Sequence, residues 1–280
     1  MIDYAKLAYP YPYIPVERRS KFLPEKNVCS ISPAEEPSDY FITGNGNLRL
    51  QVSGRPYADE MSYTQEMLYE PLWEKTPLPP DLRPYLPRIR ELLLQGKPEE
   101  TDALIDEAQK KAGFDKYMDF EKKILYPTGS PRLHTAFWLN FHQPERPKTW
   151  DYLRWLDMQN GMITSVWMND LGSFRTDSFA AYDGEVIVNR FSAPKGKLNL
   201  DIGIKLPGKL FRHGNMVFEQ PFKESTHQLT VADQLITLAW AYNPKFGRKG
   251  FVASIRFMPQ GGKLEKAEKG VRLIDADGLI

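Results

Sequence analysis

The stretch Leu198-Asn-Leu-Asp-Ile-Gly-Ile-Lys-Leu206 constrains the fold more than any other part of the chain. Leu198, Leu200, Ile202, Ile204 and Leu206 occupy every second position, with polar or small residues between them. In an extended backbone alternate side chains point to opposite faces, so this pattern makes one apolar face and one wet face. On a helix the same residues would scatter around the whole circumference. Apolar, strand-forming stretches recur along most of the second half. The pattern predicts strands over 133–141, 150–159, 163–168, 173–179, 186–191, 198–206, 215–219, 228–231, 235–242, 251–258 and 271–275. Turn signals such as Asn169-Asp-Leu-Gly172 separate them every ~8–15 residues, which leaves no room for the crossover helices of a parallel sheet. The expected fold is mainly β, a large antiparallel β-sandwich.

The first half adds three features. Residues 1–40 hold Pro10, Pro12, Pro15, Pro24, Pro33 and Pro37, which lack the N–H that a helix interior or an inner strand uses. They read as a Pro/Tyr-rich N-terminal arm packed on the surface, followed by the sandwich over 41–280. Next, Gly44-Asn45-Gly46 reads as a tight turn into a strand at 48–52. The Gly-x-Gly there has no third glycine opening a helix, so it is no dinucleotide loop. Finally, a short helical hairpin is expected at about 84–112. Leu86, Ile89, Arg90, Leu93 and Leu94 fall at helical spacing before Gly96, and Leu104, Ile105 and Ala108 share a face before Gly113.

Charge and cysteine content narrow the function classes. The 37 basic and 36 acidic residues leave a net charge of +1, which gives no electrostatic case for nucleic acid or an anionic membrane. Apolar runs such as Leu92-Leu93-Leu94 are far short of the ~20 residues a membrane span needs. Cys29 is the only cysteine, so an intrachain disulfide and a cysteine-based zinc site are excluded, and it reads as a small buried side chain. The amino terminus shows no basic region leading into an apolar stretch, so no signal peptide is legible.

A search for a reaction centre returns none. A glycosidase flanks the scissile bond with two carboxylates. Glu66, Glu70, Asp157, Asp170 and Asp177 are not marked as such a pair and read as solvated charge. His134 and His142 sit near opposite ends of one predicted strand, roughly 26 Å apart at ~3.3 Å per residue, too far to share an ion. His213 and His227 fall on separate elements. No metal, no cofactor and no catalytic residue is assigned. One cluster combines aromatic faces with polar edges in the way sugar sites do: Tyr63, Tyr69 and Trp73 with Gln65, Glu66 and Glu70.

Four segments, in order, carry a family resemblance: Thr43-Gly-Asn-Gly-Asn-Leu-Arg-Leu-Gln-Val-Ser-Gly54, Leu86-Pro-Arg-Ile-Arg-Glu-Leu-Leu-Leu-Gln-Gly-Lys-Pro-Glu-Glu-Thr101, Tyr126-Pro-Thr-Gly-Ser-Pro-Arg-Leu-His-Thr-Ala-Phe137, and Tyr152-Leu-Arg-Trp-Leu-Asp-Met158 with Phe174 to Phe191. Together they resemble the N-terminal domain of glycoside hydrolase family 95, whose founding activity is α-L-fucosidase. The resemblance spans roughly Phe41 to Ile280. It implies a β-supersandwich packed on a downstream (α/α)6 barrel that holds the catalytic groups of an inverting hydrolysis. None of those groups falls on this sequence. It also implies a periplasmic or extracellular setting. The loop that follows the first strands lies near the domain junction in the family. Here Thr64 and Gln65 stand in place of its Asn and Glu, and Tyr69 in place of its Trp, so fucose specificity does not carry over. The residues expected at the substrate rim are Gln65, Glu66, Tyr69 and Trp73. Three readings stand on these residues: a non-catalytic domain that buttresses the barrel, a free-standing carbohydrate-binding module taking an oligosaccharide, and a structural or partner-binding sandwich.

Overall fold

The computed structural model describes residues 14–68, 81–113, 118–119, 124–125, 134–207, 210–213, 216–219, 225–232, 234–242, 250–268 and 270–280. In chain order the strands begin with β1 (Asn27–Ser30), β2 (Phe41–Gly44), β3 (Leu48–Val52) and β4 (Ala58–Gln65). The short β5 (Met118–Asp119) and β6 (Ile124–Leu125) lead to β7 (Phe137–His142), β8 (Trp150–Asp157), β9 (Ile163–Asn169), β10 (Gly172–Ala180), β11 (Ile187–Ser192) and β12 (Leu198–Lys205). After β13 (Leu210–His213) and β14 (Met216–Glu219) come β15 (Thr226–Ala232), β16 (Leu235–Ala241), β17 (Phe251–Arg256), β18 (Pro259–Gln260), β19 (Lys263–Ala267), β20 (Gly270–Ala276) and β21 (Gly278–Leu279).

Two seven-stranded sheets hold most of them. Sheet I runs β19-β20-β12-β7-β4-β3-β2, and sheet II runs β1-β8-β9-β10-β11-β21-β18. A three-stranded sheet, β15-β16-β17, and the ribbons β5-β6 and β13-β14 complete the set. Described pairings such as β12 with β7 and β8 with β9 are antiparallel. The chain is therefore the mainly β, antiparallel sandwich that its alternation predicts.

The core lies between sheets I and II, and the alternating residues build it. On β12, Leu198, Leu200 and Ile202 are buried, while Asn199, Asp201 and Gly203 between them reach the other face. Leu50 and Val52 of β3, Met61 and Tyr63 of β4, Leu139 and Phe141 of β7, and Val271 and Leu273 of β20 continue this apolar face across sheet I. Sheet II answers with Ile163 and Phe191, and β21 with Leu279. Each fully buried side chain of this size stabilises the fold by about 1.5–3 kcal/mol.

Sheet II is covered on its other face as well. Leu153, Trp155 and Val166 point away from the main core and pack against Ile14 and Leu23. Ile14 precedes the single helical turn α1 (Val16–Arg19), whose Arg18 pairs with Asp151 at 3.3 Å. Within the segment read as a surface arm, residues 27–30 are a real edge strand, paired with β8 from Asn27↔Asp157 to Ser30↔Arg154.

Some local expectations are corrected. Cys29 is exposed, not buried, because β1 is the outermost strand of its sheet. The polar-looking run after residue 57 is strand β4 through Gln65, and Tyr63 is a core residue stacked on Phe137 with ring centroids 4.8 Å apart. The helical hairpin is present as α2 (Leu86–Leu94) and α3 (Pro98–Lys111), turned by Gly96 at φ +71°. Its buried face is Ile89 and Leu92, three residues apart, whereas Leu94 is 90% exposed.

Candidate functional site

Two places in the described structure have the chemistry or the space to be examined as a site: a buried polar knot and an apolar cleft. The knot forms where β3 ends and β4 begins. The chain turns through Ser53 and Gly54, the latter at φ +68°. A Cβ on Gly54 would stand 2.8 Å from Ser165 Oγ and 3.0 Å from Arg154 Cδ, so only glycine fits this approach to sheet II. Asp59, on the inner face of β4, reaches back to the turn. Its Oδ1 accepts from Ser53 Oγ at 2.6 Å and from the Gly54 N–H at 2.9 Å. Burial lifts this carboxyl from its ordinary value of 3.8 to about 6, against the opposing pull of the hydrogen bonds from Ser53, Gly54 and Arg55.

Sheet II closes the knot from across the core. Tyr152 donates its hydroxyl to the Gly54 carbonyl at 2.5 Å, and its burial pushes the phenol pKa up. Arg154 is buried and donates to the carbonyls of Ser32 at 2.9 Å, Asp39 at 3.0 Å and Ser53 at 3.3 Å, with its guanidinium 4.6 Å over the Phe41 ring. A buried charge held by carbonyl dipoles and an aromatic face costs least when all of them are fixed in advance. The knot thus ties the β3–β4 connection, the segment before β2 and strand β8 together. The neighbouring acid, Glu60, points to the opposite side of β4, where its Oε1 accepts from Tyr40 Oη at 3.0 Å. The knot therefore presents a single buried carboxyl, not the acid–base pair that glycoside hydrolysis requires.

The cleft, of about 490 Å³, lies among sheet I, the end of sheet II and the three-stranded sheet. Tyr63, Phe137, Ile187, Asn189 and Ile255 are among its lining residues. Asn189 Nδ2 donates to Tyr63 Oη at 2.8 Å, while Asn189 Oδ1 is buried without a partner. Glu185 is the one acidic side chain among the described lining residues. Size and apolar lining suit a bound group, but one exposed carboxylate does not make a hydrolytic centre.

The rim residues expected from the sequence fall as follows. Gln65 is the last residue of β4, opposite Leu48, and lines the cleft. Its Oε1 accepts from the Met67 N–H at 2.6 Å, which caps the turn that follows. Glu66 is exposed, and its N–H donates to the Asn47 carbonyl at 2.7 Å. Tyr69 and Trp73 lie outside the described residues. Asp59 and Asn189 were missed. Asp59 sits in Tyr-Ala-Asp-Glu, which reads as a turn, and only the Ser-Gly turn six residues earlier hints at its partner. Nothing local marks Asn189, since its environment is made by strands remote in sequence.

Among the described residues no three His, Cys, Asp or Glu side chains converge as metal ligands. His134 is buried and within 2.5 Å of Tyr242 Oη, and it lies ahead of β7, whereas His142 ends that strand beside Arg146. No helix among the described residues is long and apolar enough to cross a membrane.

Comparison with known proteins bears on the sandwich as a whole. No curated protein matches the chain. A family model described as the glycosyl hydrolase family 65 N-terminal domain matches residues 29–277. That match begins inside β1 and ends just before β21, so it takes in all of sheet I and all of sheet II but β21 and the start of β1. The family it names is 65, where the sequence motifs resemble family 95; the two agree on the N-terminal domain of a glycoside hydrolase. With the match covering most of the chain, this protein belongs to the glycosyl hydrolase family 65 N-terminal domain family.

Proposed function

We propose that the chain is the non-catalytic N-terminal sandwich of a family 95-like glycoside hydrolase, an α-L-fucosidase or a related exo-glycosidase. In this reading it buttresses a downstream (α/α)6 barrel, and the segment containing Gln65, Glu66, Tyr69 and Trp73 closes one rim of the barrel's active site. The observation that supports the coarser part of the reading, an N-terminal glycoside hydrolase domain without a catalytic pair, is the family 65 match over 29–277 on a sandwich whose described cleft has one acidic side chain; the family 95 and fucosidase part rests on the sequence motifs. Hydrolysis of an activated glycoside needs a second carboxylate at a fixed separation from the first. The 280-residue chain is therefore expected to release no 4-nitrophenol from 4-nitrophenyl α-L-fucoside or β-galactoside above a heat-denatured control. Turnover that survives repurification would overturn the reading.

One observation favours a second reading, sugar binding by the sandwich itself. On the outer face of sheet I, Trp138 is half-buried, with Lys205 Nζ 5.2 Å from its ring centroid and Ser62 opposite it on β4. An indole beside hydrogen-bonding groups matches the apolar face and hydroxyl rim of a pyranose. Titration with fucosylated and galactosylated oligosaccharides, followed by tryptophan fluorescence, tests it. No saturable change up to millimolar sugar removes this reading.

A further inference from the structure

One end of the sandwich carries an aromatic ring that the core does not use. Tyr182, in the connection 181–186 between β10 and β11, is 97% exposed, whereas every other described tyrosine and tryptophan is buried or half-buried. Leaving such a ring in water forfeits the stabilisation that burial supplies elsewhere in this fold. Asp183 and Glu185, on either side of Gly184, are exposed as well.

The loop is nevertheless held in one shape. The Ala181 N–H donates to the Val186 carbonyl at 2.9 Å and closes it. Asn45, in the turn between β2 and β3, clamps it from the other sheet. Its Nδ2 donates to the Ala181 carbonyl at 2.7 Å and to the Gly184 carbonyl at 3.0 Å. Its Oδ1 accepts from the Asn47 N–H at 3.0 Å and from the Leu48 N–H at 2.8 Å. Asn45 thus uses both donors and both lone pairs of its amide to join the two turns.

The β2–β3 turn also holds the segment expected at the rim. The Glu66 N–H donates to the Asn47 carbonyl at 2.7 Å, and Gln65 stands opposite Leu48 on the ladder. Glu185 and Val186 line the cleft together with Leu48 and Gln65. The Tyr182 loop and the Gln65–Glu66 segment are therefore two parts of one structure, joined through residues 45–48.

We infer that Tyr182 is a sugar-contacting residue of this rim, that it stacks on the apolar face of a neutral pyranose, and that Asn45 is the positioning residue that presents the ring. A phenol offers an apolar face with a polar edge. Asp183 and Glu185 accept from sugar hydroxyls and repel anionic sugars, which selects an uncharged ligand. A loop ordered before binding loses little freedom when it binds, which is what the Asn45 clamp supplies. The inference rests on the rim reading of Gln65 and Glu66. It is distinct from the Trp138 site, which lies on the outer face of sheet I.

The test is an amide NMR titration of the 280-residue chain with fucosyllactose, lactose and maltotriose, each to tens of millimolar. Saturable shifts are expected at Tyr182, Asp183 and Glu185. Tyr182→Ala is expected to weaken binding at least tenfold, Tyr182→Phe to stay within threefold because the ring remains, and Trp138→Ala to leave it unchanged. Asn45→Asp keeps the acceptor for Asn47 and Leu48 but loses both donors to the loop. It is expected to weaken binding at least threefold with the Tyr182 ring in place, and an unchanged affinity overturns the positioning role. No saturable shift at 182–185 with any of the three sugars, or a Tyr182→Ala protein that binds as the parent does, overturns the inference. Shifts confined to the strands around Trp138 also overturn it, by placing the sugar on the outer face of sheet I. Any of these failures leaves the hydrolase-domain reading standing, whereas glycoside turnover by the chain would overturn that reading without moving the Tyr182 shifts.

Discussion

The raised carboxyl of Asp59 has a consequence for stability that runs opposite to that of most acidic groups. A carboxylate stabilised by a salt bridge strengthens a fold as pH rises. Asp59 instead holds its proton more tightly in the native state, at about 6 against an ordinary 3.8, because burial disfavours the charge. Below pH 3.8 both states are protonated and the group contributes nothing. Between 3.8 and 6 the unfolded chain has released the proton and the native one retains it, so stability falls with each step up in pH. Above 6 both states are ionised and the loss levels off. A difference of roughly two units at ~1.36 kcal/mol each amounts to about 3 kcal/mol. Asp59→Asn isolates this effect. The amide oxygen can still accept from Ser53 Oγ and the Gly54 N–H, but nothing titrates. Urea unfolding of both proteins from pH 4 to 7.5 cancels the other carboxylates in the difference. The native protein is expected to lose about 2 kcal/mol more than the variant over that range, because part of the total has already been lost by pH 4. A difference below about 0.7 kcal/mol, or one of opposite sign, would refute the claim that burial outweighs the hydrogen bonds and the Arg55 charge that favour the ionised Asp59.

Three further outcomes are expected. Gly54→Ala places a side chain at φ +68°, which alone costs about 1–2 kcal/mol, and forces a contact with Ser165; a lowered urea midpoint with unchanged slope reads it. Leu200→Ala, in the centre of β12, should cost about 2–5 kcal/mol, whereas Leu94→Ala on the exposed side of α2 should stay within about 0.5 kcal/mol, both by the same unfolding assay. Cys29, exposed on the edge strand, should react with Ellman's reagent in the folded protein to the extent seen in urea; a thiol silent until unfolding would contradict its placement.

The parts of the fold legible in the sequence are those in which one strand face is apolar and the other wet. β12 announces itself through Leu198, Leu200 and Ile202, and β9, β10, β16 and β17 through similar runs. β4 does not, because it is central in sheet I and its outward-facing Ser62 and Thr64 are buried along with its inward Met61 and Tyr63. With Asp59 on its core face, the strand lacks the polarity contrast on which periodicity depends. β19 at the sheet edge, Lys-Leu-Glu-Lys-Ala, is nearly all exposed and looks like loop for the opposite reason. At the candidate site, Gln65 was found through its neighbouring aromatics, one of which, Tyr63, serves the core. The knot around Asp59 joins residues about a hundred positions apart, and the cleft is lined by strands equally remote from local pattern, so nothing in a short window encodes either.

The account's central claim is that these residues form the non-catalytic N-terminal sandwich of a larger hydrolase. The most direct test is the intact mass of the native polypeptide in its source cells, detected with an antibody raised to this chain, with glycosidase activity assayed in the captured material. The account predicts a species far above 32.3 kDa that carries the activity. A species at 32.3 kDa, inactive on every glycoside tested, would contradict it and leave a free-standing sandwich in its place.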